Sequence, residues 1–135
     1  TRLILEIKKH KTAEAEDRCV EAVLKMVKKW DVEPQVEYIS FSKHVCDELV
    51  KRVPGAKVSY LEGDLTPAEA KKAGYTGIDY RYTVFDKHPE WIGEAKRLGL
   101  VTNVWTVNKV KEIKRFFDAG IDFVTTNSPV EAKAL

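Results

Sequence analysis

Two charged side chains, Glu6 and Lys8, stand at the end of an apolar stretch near the start of the chain. Side chains alternate between the two faces of a β-strand, so a strand over residues 2–8 points both to the same side. A carboxylate at a strand end can bind a hard divalent cation, and an ammonium can neutralise a phosphate oxygen. An exposed Glu–Lys ion pair explains the same two residues, so both interpretations stay open.

A second pair of residues has the same arrangement near the other end of the chain. Asn103 and Trp105 share a face of a predicted strand over residues 100–105, and Trp105 ends it. A Trp at the mouth of a barrel offers an apolar wall for a small ligand. A core Trp packed under a helix is an equal alternative.

Other polar residues are weaker candidates. His10 follows Lys8 in a basic run over residues 8–11, where a solvated loop explains it as well as a catalytic role does. Asp79 and Asp86 flank the loop after a predicted strand, and their carboxylates can add oxygen ligands for a cation. His44 and His88 are predicted to be surface or capping residues. Cys19 and Cys46 lack metal-binding spacing and are interpreted as buried packing residues.

The elements that must position these residues alternate regularly. Strands are predicted over residues 2–8, 36–41, 58–61, 76–80, 100–105 and 121–125. Six helices are predicted, near residues 12–30, 42–53, 66–74, 89–98 and 109–119, with a last one opening at Ser128-Pro129. The helix near residues 66–74 begins with a capping-box-like pattern at Thr66 and Glu69. The alternation predicts parallel βαβ connections, in an open doubly wound sheet or in a (β/α)8 barrel short of two units. No glycine-rich phosphate loop follows a strand, which disfavours a nucleotide-binding open sheet.

Composition excludes several other classes. The 135 residues predict a single domain that buries about two-thirds of its unfolded surface. The net charge of +2 comes from interspersed residues rather than the basic stripe typical of nucleic-acid binding. The apolar runs are far shorter than the roughly 20 residues of a membrane span.

Four short segments resemble one known family, the glycerophosphodiester phosphodiesterases. They are L-E-I-K at residues 5–8, I-S-F-S at 39–42, V-W-T-V-N at 104–108 and T-N-S-P at 126–129. Their order and spacing are similar to those of the family's third to eighth barrel strands. The resemblance implies a partial TIM barrel of about six parallel βα units, lacking the first two, as one domain over residues 1–135.

The resemblance also implies an activity and roles for individual residues. The family hydrolyses glycerophosphodiesters to glycerol 3-phosphate and an alcohol with the help of Ca²⁺ or Mg²⁺. By position, Glu6 matches a carboxylate ligand of the cation, and Lys8 matches the basic residue that contacts the phosphate. Trp105 matches an aromatic at the glycerol side of the pocket, and Phe41 a strand-end aromatic near the site.

The resemblance leaves part of the family's machinery without a counterpart. Its two histidines for acid–base catalysis and its other metal carboxylates lie on the first two strands. We therefore expect an incomplete chain that binds a cation weakly or not at all and is inactive by itself. The alternative is a non-catalytic partial barrel. In both cases, association into a homo-oligomer is expected, because unpaired strand edges attract partners. The compartment stays open between the cytoplasm and the periplasm or exterior.

Overall fold

A computed structural model describes residues 2–134, in which six parallel strands form one sheet. Each strand pairs with the next along the chain. The strands are β1 Leu3–Glu6, β2 Val36–Ser40, β3 Lys57–Tyr60, β4 Gly77–Arg81, β5 Val101–Trp105 and β6 Phe123–Val124. The sheet is curled into a half-barrel, since the Arg2 guanidinium beside β1 lies 4.3 Å from the centre of the Phe123 ring on β6. The expected partial barrel of six parallel units is confirmed.

Seven helices cover the outside of the sheet within the described range. They are α1 Ala13–Lys29, α2 Lys43–Arg52, α3 Pro67–Lys72, α4 Tyr82–Lys87, α5 Glu90–Arg97, α6 Val110–Asp118 and α7 Pro129–Lys133. The prediction of a loop after β4 was wrong, because α4 forms there and raises the number of α-helices from six to seven. Arg81 offers no capping side chain, so the usual signal for a helix start is missing there. Tertiary packing stabilises α4 instead, through the buried Phe85.

Capping explains why several helices begin where the sequence predicts. The Thr66 hydroxyl accepts a hydrogen bond from the Glu69 backbone N–H at 3.1 Å. The Glu69 carboxylate accepts one from the Thr66 backbone N–H at 2.9 Å. This reciprocal pair is the predicted capping box at the start of α3, and Thr12 and Ser42 cap α1 and α2 through their hydroxyls.

The two faces of the sheet differ in what covers them. Side chains that point outward are buried beneath the helices, among them Tyr38, Val58, Ile78, Tyr80 and Val104. The alternate residues point into the concave side and line a cavity of about 400 Å³, among them Ile4, Glu37, Ser59, Asp79 and Asn103. We call this cavity the lumen. The strand faces predicted for β1 and β5 agree with this arrangement.

The cysteines and the helix lengths complete the description. Cys46 is buried as predicted, whereas Cys19 is only half-buried, and both thiols are free. Within residues 2–134, no helix has both the length and the apolar composition of a membrane span.

Candidate active site

The carboxyl ends of the strands surround an open cavity of about 270 Å³, which we call the mouth cavity. Its lining residues are Glu6, Ile39, Phe41, Leu61, Asp79, Trp105, Thr106 and Thr125. In a parallel barrel, this end of the strands is where active sites form. Three of the four residues to which the resemblance assigns roles, Glu6, Phe41 and Trp105, therefore lie around one cavity, together with the weaker candidate Asp79.

The fourth candidate, Lys8, stands at the rim. Its ammonium lies 3.0 Å from the Glu6 carboxylate, so the predicted shared face and the predicted ion pair both exist. The Lys8 side chain is 75% exposed, and an exposed ion pair contributes at most about 1 kcal/mol. Lys8 can therefore leave Glu6 for an anion at little cost.

An aromatic wall closes one side of the mouth cavity. The Phe41 and Trp105 rings meet edge to face, with centroids 5.8 Å apart. The Trp105 indole N–H donates a hydrogen bond to the Asp79 backbone carbonyl at 2.8 Å. This bond fixes the ring and satisfies its only donor, so Trp105 offers a ligand an apolar surface.

Asp79 differs from the other polar residues of the cavity because it is only 5% exposed. Its Oδ1 atom is buried and has no hydrogen-bond partner among the described residues. The pKa of Asp79 is raised to about 6, mainly by burial and to a smaller extent by the charges of Glu6 and Glu37, while the neighbouring Asn103 side chain opposes the rise. A buried carboxylate oxygen without a hydrogen-bond donor costs free energy of folding.

Asp86, which the sequence paired with Asp79 as a possible ligand, lies elsewhere. Its carboxylate accepts a hydrogen bond from Arg115 at 2.9 Å, and it does not line the mouth cavity. His10 also lies outside the cavity lining. The His10 ring Nδ1 is 2.8 Å from the Lys8 carbonyl, and its backbone N–H donates to Glu16, so it stabilises the loop after β1.

Three potential metal ligands come together on the helical layer. Asp17, His44 and Glu48 place one ligand atom each within 4.8 Å of one another. The His44 Nε2 lies 2.7 Å from an Asp17 oxygen, and this hydrogen bond raises the pKa of His44. Arg52 also approaches the cluster, at 3.8 Å from Asp17 and 3.4 Å from Glu48. None of the three ligands lines the mouth cavity, so this cluster is separate from Glu6.

The sequence segments 104–108 and 126–129 meet beside the mouth cavity. The Asn108 side-chain oxygen accepts hydrogen bonds from the Asn127 backbone N–H at 2.7 Å and from the Thr126 hydroxyl at 3.3 Å. These bonds join the loops after β5 and β6 and support the strand end that carries Trp105. Thr125 also lines the mouth cavity and was not predicted as a site residue; its only signal in the sequence is its place at the end of the last predicted strand.

Comparisons with known proteins agree with this geometry. The model of the "Glycerophosphoryl diester phosphodiesterase family" matches residues 3–131. A glycerophosphodiester phosphodiesterase of Caldanaerobacter subterraneus subsp. tengcongensis is 24% identical over 113 residues, which are 81% of this chain and 45% of the relative.

Solved structures give the same result. The crystal structure of a glycerophosphodiester phosphodiesterase from Parabacteroides distasonis superimposes with a TM-score of 0.96 at 41% identity, covering 98% of this chain and 56% of the other. An Oleispira antarctica phosphodiesterase in complex with the product sn-glycerol-3-phosphate shares the fold, with a TM-score of 0.77 at 14% identity over 94% of this chain and 52% of the other. The chain spans about half the length of these relatives.

Proposed function

Because the chain belongs to the glycerophosphoryl diester phosphodiesterase family, we propose that it takes part in the hydrolysis of glycerophosphodiesters to glycerol 3-phosphate and an alcohol. The observation that carries the proposal is the convergence of Glu6, Phe41 and Trp105 on the mouth cavity, with Lys8 at its rim. A charged rim and an apolar wall suit a ligand with an anionic end and a small organic end.

The proposed roles follow from the chemistry of each side chain. The Lys8 ammonium leaves Glu6 and neutralises a phosphate oxygen. The exchange costs little because the ion pair that it breaks is exposed at the rim. Trp105 and Phe41 contact the carbon atoms of the glycerol and exclude water from that side. Glu6 orients Lys8 and offers a carboxylate to a cation.

The described residues do not form a complete cation site at the mouth cavity. Ca²⁺ takes six to eight oxygen ligands and Mg²⁺ demands near-octahedral geometry, whereas Glu6 and Asp79 are the only carboxylates in the described lining. We therefore propose that Glu6 is one ligand of a divalent cation and that this chain by itself binds the cation weakly. When bound, such an ion stabilises negative charge on the phosphate.

The mouth cavity also lacks a histidine for acid–base catalysis among the described residues. Proton transfer by a positioned side chain contributes roughly 10²–10⁴-fold to the rate of such reactions. We therefore expect this chain to bind phosphate esters of glycerol but to hydrolyse their diesters slowly or not at all.

The alternative proposal is a non-catalytic partial barrel that forms homo-oligomers through its open edges. Its support is that β1 and β6 each pair with one neighbour in the described sheet. In addition, Ile4, Val101 and Phe123 remain exposed on the concave side. Light scattering would decide between a monomer of 15.4 kDa and a multiple of that mass.

The first test measures turnover and binding with the same purified chain. Glycerophosphocholine is supplied with Ca²⁺, Mg²⁺ or EDTA, and release of glycerol 3-phosphate is followed by a coupled assay. Binding of sn-glycerol 3-phosphate is followed by the indole N–H resonance of Trp105 in NMR spectra. We expect binding without measurable turnover, with affinity reduced about tenfold in Lys8→Ala because a hydrogen bond to a charged group is lost.

Two matched variants serve as controls. Lys9→Ala removes the neighbouring ammonium, and Glu21→Ala, the control for Glu6→Ala, removes an exposed carboxylate on α1. Both should bind sn-glycerol 3-phosphate as the wild type does. If the ligand does not bind, or if Lys8→Ala and Glu6→Ala bind it as well as these controls do, the proposed site is wrong. Metal-dependent turnover that disappears in Glu6→Ala would instead mean that the chain completes a working site.

A further inference from the structure

The unpaired oxygen of Asp79 is the feature of the mouth cavity that the roles above leave unexplained. Asp79 lies on the concave face of β4 and borders both the mouth cavity and the lumen. Its backbone carbonyl already holds the Trp105 indole, so the carboxylate stands beside the aromatic wall. A buried Oδ1 without a partner in the described protein requires a hydrogen-bond donor from a ligand or from solvent.

The charge pattern of the cavity limits what that donor can be. Lys8, which suits the anionic end of a ligand, is exposed at the rim, whereas Asp79 is buried deeper. A phosphate would be repelled by a carboxylate at this depth. A hard cation, which takes six or more oxygen ligands, would find Glu6 and Asp79 as the only carboxylates in the described lining. A neutral hydroxyl group satisfies the oxygen without either cost.

We propose that Asp79 binds the hydroxyl groups of the glycerol moiety, so that it distinguishes glycerol phosphate from phosphate esters of simple alkyl alcohols. The inference rests on the proposed function, because it places the phosphate at Lys8 and the carbon chain against Trp105. A site that accepts a hydrogen bond from a substrate hydroxyl discriminates strongly against an analogue without it, because the buried acceptor is then left unpaired.

The test compares two ligands that differ only in their hydroxyl groups. Dissociation constants for sn-glycerol 3-phosphate and for n-propyl phosphate are measured from the Trp105 indole resonance, with and without Mg²⁺. The wild type should bind sn-glycerol 3-phosphate about tenfold more tightly or better, which is the usual worth of a hydrogen bond to a charged group. This comparison needs no variant, so it stands even if substitutions at Asp79 unfold the chain.

Substitution then assigns the preference to Asp79. Asp79→Ala should remove the preference by weakening sn-glycerol 3-phosphate binding only, and Asp79→Asn, which keeps an acceptor oxygen, should retain part of it. Asp118→Asn on the exposed surface of α6 is the control and should change neither affinity. The variants are compared only where their NMR spectra retain the dispersion of the wild type.

The possible outcomes separate this inference from the proposed function. Equal wild-type affinities for the two ligands overturn the role of Asp79 and leave the phosphate site at Lys8 standing. An equal loss of both ligands in Asp79→Ala, seen only with Mg²⁺, also overturns it, because Asp79 would then act through a cation. If neither ligand binds the wild type, the proposed function fails together with the inference.

Discussion

The two faces of the curled sheet differ in how completely they are packed. On the outer face, the helices cover the strands, and Ile78, Tyr80 and Val104 are inaccessible to solvent. On the concave face of the sheet, Ile4 is 48% exposed and Asp79 has an oxygen without a hydrogen-bond partner among the described residues. Residues that are adjacent in sequence thus differ: one side chain lies in the packed core and the next borders an open cavity.

The difference separates stability from chemistry along each strand. Buried apolar area is the main favourable contribution to folding, and it is concentrated between the sheet and the helices. The concave face carries the charged and polar groups that a ligand can contact, including the Arg2–Glu37 ion pair at 2.8 Å. We therefore expect substitutions on the two faces to change different measured quantities.

The largest contrast is expected between two isoleucines. Ile78→Ala empties a fully buried position and should lower the free energy of unfolding by about 2–5 kcal/mol. Ile4→Ala removes the same atoms from a half-exposed position in the lumen and should cost less than about 1 kcal/mol. Urea unfolding followed by circular dichroism measures both, and similar losses would mean that the lumen is packed in solution, as association through that face would cause.

Gly77 lies on the concave face, yet its substitution should lower the stability of the fold. A Cβ added at Gly77 would lie 2.5 Å from the Ser59 hydroxyl oxygen and 2.8 Å from the Val101 carbonyl oxygen. Because the second of these atoms belongs to the backbone, Gly77→Ala should destabilise the chain by about 1–3 kcal/mol. The cause is the close approach of the neighbouring strands to Gly77, which the empty space of the lumen does not change.

Gly93→Ala is the matched control for that substitution. Gly93 lies in α5, and apart from its sequence neighbours and its own helical backbone no atom lies within 4 Å of an added Cβ, so alanine should stabilise the helix by up to about 1 kcal/mol. Urea unfolding should therefore show a lower free energy of unfolding for Gly77→Ala and a higher one for Gly93→Ala. Adding Ser59→Ala to Gly77→Ala should recover only part of the loss, since the Val101 carbonyl remains.

The sequence predicted the order of elements well because the relevant signals are local. Strand parity placed Glu6 with Lys8, and Asn103 with Trp105, on shared faces, and the Thr66 capping box marked a helix start. Helix α4 was missed because its stability comes from burying Phe85 rather than from capping or propensity. Strand β6, which pairs only with β5, has two residues instead of the predicted five.

The candidate site was predictable only as far as strand ends determine it. The burial of Asp79 depends on how tightly the sheet curls and on the position of the Trp105 ring, which are properties of contacts distant in sequence. The Asp17–His44 pair joins residues 27 apart on different helices, and no spacing rule would have suggested it. Local patterns therefore identified which strand ends matter but not the state of the groups there.

A further effect of about 1 kcal/mol is predicted for the pH dependence of stability. Burial raises the pKa of Asp79 from 3.8 to about 6, so between these values the folded state binds more protons than the unfolded state. The free energy of unfolding should therefore fall as the pH rises, by about 1 kcal/mol between pH 5 and pH 7. His44, whose pKa is also raised, contributes in the same direction, so the wild-type profile by itself does not isolate Asp79.

Asp79→Asn isolates that contribution because it removes the titrating group and leaves the pair of His44 with Asp17 intact. The variant should be about as stable as the wild type at pH 4 and more stable at pH 7, since it avoids the cost of a buried charge. Urea unfolding of both proteins at several pH values measures the difference. A constant difference from pH 4 to pH 7 would mean that Asp79 is solvated, and the concave face would then be more open than its 5% exposure indicates. A difference that grows with pH would mean that the buried charge of Asp79 lowers the stability of the fold at neutral pH.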